Sequence, residues 1–116
     1  MKIQTKRIYE KAANRDGHRV LVDRIWPRGV SKKDALLDDW NKDIAPSTEL
    51  RKWFDHKEDR FPEFKKKYKK ELSKQTEPLK EIASIAKEKQ VTLLFGAKDE
   101  NHNQAVVLKE YLENNF

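Results

Sequence analysis

Apolar residues along this chain fall into two kinds of run. Arg19-Val20-Leu21-Val22-Asp23, leading into Ile25 and Trp26 and stopped by Pro27 and Gly29, is one short continuous block; Val91-Thr92-Leu93-Leu94-Phe95, closed by Gly96, is another. Short β-branched blocks bounded by turn residues predict strands buried on both faces. Lys2–Lys6 alternates weakly through Ile3 and Thr5, as an edge strand does, and Leu37–Ile44, with Trp40 and Ile44, suggests a further short strand. Elsewhere the spacing is helical. Ser47 can cap a helix carrying Leu50, Trp53 and Phe54 on one side. Phe61, Phe64, Tyr68 and Leu72 recur at steps of three and four. Leu79, Ile82, Ala83 and Ala86 form a stripe behind a Thr76 cap with Pro78 in the first turn, and a last helix from about Asn101 to Glu113 buries Ala105, Leu108 and Leu112. Strands interleaved with helices predict one α/β layered domain, a Rossmann-like arrangement with a small, mostly parallel sheet flanked by helices over residues 1–116.

Composition narrows the class. With 40% charged and 36% hydrophobic residues the chain is polar for a globular domain, yet five Phe, three Tyr and three Trp supply bulky core residues. No apolar run approaches the roughly 20 residues that span a bilayer, and the charged first residues carry no apolar signal segment, so a soluble cytoplasmic protein is expected. Zero cysteine excludes disulfides, thiolate nucleophiles and Cys-ligated metal. The net charge of +6 is uneven: residues 1–35 carry ten basic and four acidic side chains, residues 90–116 two and four.

Ligands of open α/β sheets bind beyond the carboxyl ends of the strands. Two such ends are rich in polar groups here, Asp23-Arg24-Ile25-Trp26-Pro27-Arg28-Gly29 and Gly96-Ala97-Lys98-Asp99-Glu100-Asn101-His102-Asn103. If their strands are neighbours, the two loops face each other across a crevice. Gly96 permits a tight turn, and a helix starting near Asp99–Asn101 offers unpaired N–H groups to an anion. Lys98 adds a point charge, Arg24 and Arg28 can grip carboxylate or phosphate oxygens, Asn103 adds an amide, and Asp23 with His102 is the evident acid/base pair. The structural alternative stays open: Asp99 or Asn101 can cap the helix, and Asp23 can hold its loop through an arginine. Lys65-Lys66-Lys67-Tyr68-Lys69-Lys70 is either the solvated face of an amphipathic helix or a phosphate-tracking nucleic-acid surface. Asp55-His56 beside Glu58 and Asp59 reads as a solvated polar turn, with a surface metal contact as the alternative, and no H-E-x-x-H or paired carboxylate–His spacing appears.

Three motifs carry a resemblance. The stretch Val20–Gly29, then Ala45-Pro46-Ser47-Thr48-Glu49-Leu50-Arg51-Lys52-Trp53-Phe54, then Leu93–Asn103 together resemble the YeaO-like branch of the domain-of-unknown-function 488 family, in the same order and over nearly the whole chain. The resemblance implies a small bacterial-type α/β domain without an established reaction. It places Asp23, Arg24, Trp26, Arg28, Lys98, Asp99, His102 and Asn103 at motif positions. Other members look to carry a Cys-His-Arg motif after the last strand; this chain reads Glu100-Asn101-His102-Asn103 there, so thiol chemistry does not carry over. The expectation is an anion-accepting cleft for a phosphorylated or nucleotide-like small molecule, with or without catalysis; the rival is a nucleic-acid-binding module using the basic helix.

Overall fold

A computed structural model describes all of residues 1–116. Four strands form one sheet: β1 (Ile3–Arg7), β2 (His18–Leu21), β3 (Asp39–Trp40) and β4 (Val91–Phe95), in the order β1-β4-β2-β3. Every pairing is parallel; Val91 lies opposite both Ile3 and His18, and Leu94 opposite Lys6 and Leu21. The helices are α1 (Lys32–Ala35), α2 (Thr48–Phe54), α3 (Phe61–Leu72), α4 (Thr76–Glu88) and α5 (Gln104–Asn115). No helix is long and apolar enough to cross a membrane.

The strand compositions explain the order. β4 is buried at all five residues, which its unbroken apolar run requires of a central strand covered on both faces. β1 and β3 take the edges. Val91, Leu93 and Phe95 join Val20 and Val22 in the larger core against α2 to α5, where the stripes Phe64-Tyr68-Leu72, Leu79-Ile82-Ala83-Ala86 and Ala105-Leu108-Leu112 are buried. The Tyr68 hydroxyl donates to the carbonyl of Ile44 at 2.5 Å, which settles its polar end inside this core.

The opposite face is smaller. Ile8, Leu21, Ala35 and Leu94 make its apolar cluster, with Trp26, Val30, Leu37 and Trp40 packed over it. Beside them lies a buried polar network. Asp16 accepts from Arg19 at 2.5 Å and Lys6 at 3.0 Å, while Thr92 accepts from Gln4 and donates to the carbonyl of Asp16. The Arg19 guanidinium also donates to the Ala35 and Leu36 carbonyls. Gly17 turns the chain into β2 at φ +65°, pressed so closely on Gln90 that a Cβ would collide with the Gln90 backbone.

Several boundaries differ from the sequence expectation, each for a local reason. β2 ends at Leu21 although Val22 still donates to Leu94, because Asp23 leaves the sheet to bond the neighbouring loop. The strand expected over Leu37–Ile44 is only the two residues of β3. Thr76 is the first helical residue and Gln75 the cap position of α4. α5 starts at Gln104 rather than near Asn101: Asp99 Oδ1 takes the N–H groups of Asn101 and His102 in a turn, and Asn103 then caps the helix by accepting from Val106. The one-turn α1, capped by Ser31 accepting from Asp34, is too short for any apolar period and was not expected.

Candidate functional site

β2 and β4 are neighbours, so the two polar loops share one edge of the sheet. They also diverge. The chain after β2 leads to α1, whose Ala35 packs on the smaller face, while the chain after β4 leads to α5, whose Ala105 packs in the larger core. Adjacent parallel strands whose connections leave to opposite faces form a switch point, where crevices open in such sheets.

At that point the loops touch. Asp23 Oδ2 accepts from the Gly96 N–H at 2.9 Å and Oδ1 accepts from the Gln104 amide. The missing side chain at Gly96 leaves room for this contact, since a Cβ would stand 2.9 Å from Asp23 Oδ2 and push the carboxylate aside. The Asn101 and His102 N–H groups, at the helix start that the sequence reading offered to an anion, are likewise taken by the protein's own Asp99 carboxylate. Burial pushes the Asp23 carboxyl up to about 6, against the opposing pull of the Gly96 N–H, the Gln104 amide and the nearby charge of Arg51.

Asp23 lies in a pocket of about 90 Å³. Phe54 and Phe64, stacked with ring centroids 4.3 Å apart, line it together with Ile25, Pro46 and Ala97, and Arg24, Asn103 and Gln104 contribute polar groups. Arg51 and His56, both largely exposed, belong to the same lining and bring cationic and imidazole groups to it. His56 is carried there by two successive left-handed residues at the end of α2: Asp55 at φ +49°, donating its N–H to Arg51, and His56 at φ +55°. Left-handed backbone is uncommon outside glycine, and Asp and His are among the residues that adopt it most readily.

The expected residues separate into two groups. Asp23, Arg24 and Asn103 line the pocket. Arg24 donates from Nε to the Pro46 carbonyl at 2.8 Å and from a terminal nitrogen to Ala45 at 3.1 Å, so part of its fork ties β2 to the entry of α2. Asn103 is buried as the α5 cap, donating to the Asp99 carbonyl. Arg28, Lys98 and His102 lie outside the pocket lining. Arg28 is exposed and its carbonyl accepts from Tyr9; Lys98 is exposed. His102 Nδ1 is 2.9 Å from Asp99 Oδ2, and its ring sits edge-on to Phe61. The acid/base pairing of Asp23 with His102 is therefore not formed. Glu58, Asp99 and His102 do bring one ligand atom each within 4.8 Å of one another, on an open surface.

Sequence reasoning missed Arg51, His56, Gln104 and the Phe54–Phe64 wall. Trp26 and Trp40 anchor loops, donating to the Val30 and Asp23 carbonyls, each at 2.7 Å. The lysine run splits: Lys65 and Lys69 pair with Glu110 of α5, whereas Lys67 and Lys70, joined by Lys74 from beyond the run, line a groove with Trp53.

The model of the inactive DUF488-N3 subclade matches residues 2–116. The chain is 46% identical over 112 residues to "Uncharacterized protein YeaO" of Escherichia coli K12, covering 97% of each. It is 39% identical over 111 residues to "Uncharacterized protein Rv3073c" of Mycobacterium tuberculosis H37Rv, covering 96% of this chain and 93% of that one. No solved structure matches significantly.

Proposed function

Since the chain belongs to the inactive DUF488-N3 subclade of the DUF488 family, we propose that it is a binding domain without turnover, taking a small phosphorylated or nucleotide-like ligand in the Asp23 pocket. The observation that carries this reading is the gathering of Arg51, Arg24 and His56 around an apolar-walled pocket at the switch point of the sheet. Two features favour binding over catalysis. The subclade is described as inactive, and His102, the natural proton partner for Asp23, is engaged with Asp99 instead. Arg51 is the main anchor for the anion, because Arg24 is already tied to backbone carbonyls.

Thermal unfolding against inorganic phosphate, ribose 5-phosphate and mononucleotides tests this. Ligand at a hundred times its dissociation constant adds about 2.7 kcal/mol, a rise of roughly ten degrees for a domain of this size. The rise should vanish in Arg51→Gln. No stabilisation by any of these compounds, or an unchanged response in that variant, overturns the reading.

A second reading, a sequence-blind nucleic-acid surface, draws support from the α2–α3 groove. There Lys67 Nζ lies 4.2 Å from the Trp53 ring centroid, with Lys70 and Lys74 alongside. It requires affinity that falls steeply with salt and is lost on replacing Lys67, Lys70 and Lys74 by glutamate.

A further inference from the structure

The pocket has a direction that the anion alone does not explain. An ionised carboxylate offers about four lone-pair positions. Asp23 uses one oxygen on Gly96 and the other on Gln104, so each oxygen retains acceptor capacity, and the group lines the cavity. A phosphate cannot approach that carboxylate without repulsion; its place is with the exposed Arg51 and His56. What meets Asp23 must donate hydrogen bonds. An ammonium group is disfavoured there, because the guanidinium groups of Arg24 and Arg51 belong to the same small lining. A neutral N–H edge is not. The cavity of about 90 Å³ is smaller than the roughly 150 Å³ that houses benzene, so it admits the edge of a flat group and leaves the remainder at the opening. The stacked Phe54 and Phe64 give such a group an apolar wall.

Resting on the ligand reading above, we propose that the ligand is a nucleotide whose base presents a pair of neutral N–H donors, as guanine does, to the Asp23 carboxylate, with its phosphate held by Arg51 and His56. Carboxylates accept from base amino groups in the same manner when proteins read nucleic acid. A carboxylate that burial makes costly gains most from two such donors.

Three nucleotides differ at the edge in question. Guanosine monophosphate offers two donors, inosine monophosphate one, and adenosine monophosphate an acceptor in place of the ring N–H. Ribose 5-phosphate carries the anion alone. Calorimetric titration of the full chain should rank the first above the second and the second above the third, by about tenfold or more for each donor lost to a charged acceptor. Asp23→Asn should collapse that ranking. Equal affinity for all four compounds, or a preference for adenosine monophosphate, removes the base-edge assignment and leaves the phosphate reading standing. Binding of none removes both. The ranking on the unmodified protein decides the matter even if Asp23→Asn folds poorly.

Discussion

A single buried carboxyl couples the site to stability. Because burial raises Asp23 to about 6 in the folded protein, above the usual 3.8, the folded state holds that proton more tightly than the unfolded chain. Stability from this group is therefore full below pH 4 and falls as the pH rises through 6, by on the order of 2–3 kcal/mol. Asp23→Asn keeps an oxygen for Gly96 and carries no charge. Measured by urea denaturation, the variant should match the native chain near pH 4 and exceed it increasingly toward pH 7. A constant difference across that range would contradict the assignment. Asp16 has the opposite sign. Burial works against its charge, but the Ala13 N–H, Lys6 and Arg19 outweigh it and hold its carboxyl below the ordinary value, so its contribution is present at neutral pH and disappears in acid.

At the scale of elements, the two faces of the sheet are secured differently. The larger face rests on the four helices α2 to α5, whose apolar sides were legible because each repeats every three or four residues: Phe64, Tyr68 and Leu72 are buried as that period demands. The smaller face is closed by loops, the single turn of α1 and the Lys6–Asp16–Arg19 network, none of which has a period to read. Arg19 opens an apolar block and gives no sign of being buried itself. Asp16→Ala would leave Arg19 enclosed without its main counter-charge, at a cost of about 3–5 kcal/mol by chemical denaturation; a loss below 1 kcal/mol would mean that the backbone carbonyls around Arg19 suffice. Gly17→Ala should be severe as well, since both its φ and the proximity of Gln90 exclude a Cβ. The candidate site divides along the same line. Asp23, Arg24 and Asn103 were legible because they follow strands or begin a helix. Arg51, His56 and Gln104 reach the pocket from α2, from a left-handed turn and from the first residue of α5, and their approach to Asp23 is a product of packing alone.

For the whole molecule, the strand order decides what depends on what. β1 and β2 flank β4 and do not pair with each other, and β3 contributes only two residues beside β2. A fragment ending at Gln90 keeps every helix except α5 and loses the strand that joins the sheet, so it should show no cooperative melting by circular dichroism; a sharp transition there would mean that the helices hold the core unaided. The same order has a consequence for synthesis on the ribosome. The chain is made from β1 onward, yet the strand that unites the sheet is the last to be translated. Until Phe95 has emerged, the nascent Ile3–Arg7 and His18–Leu21 segments have no central partner, and their apolar residues are exposed to chaperones, proteases and other nascent chains. Completion of this sheet therefore waits for the last of its four strands to be made.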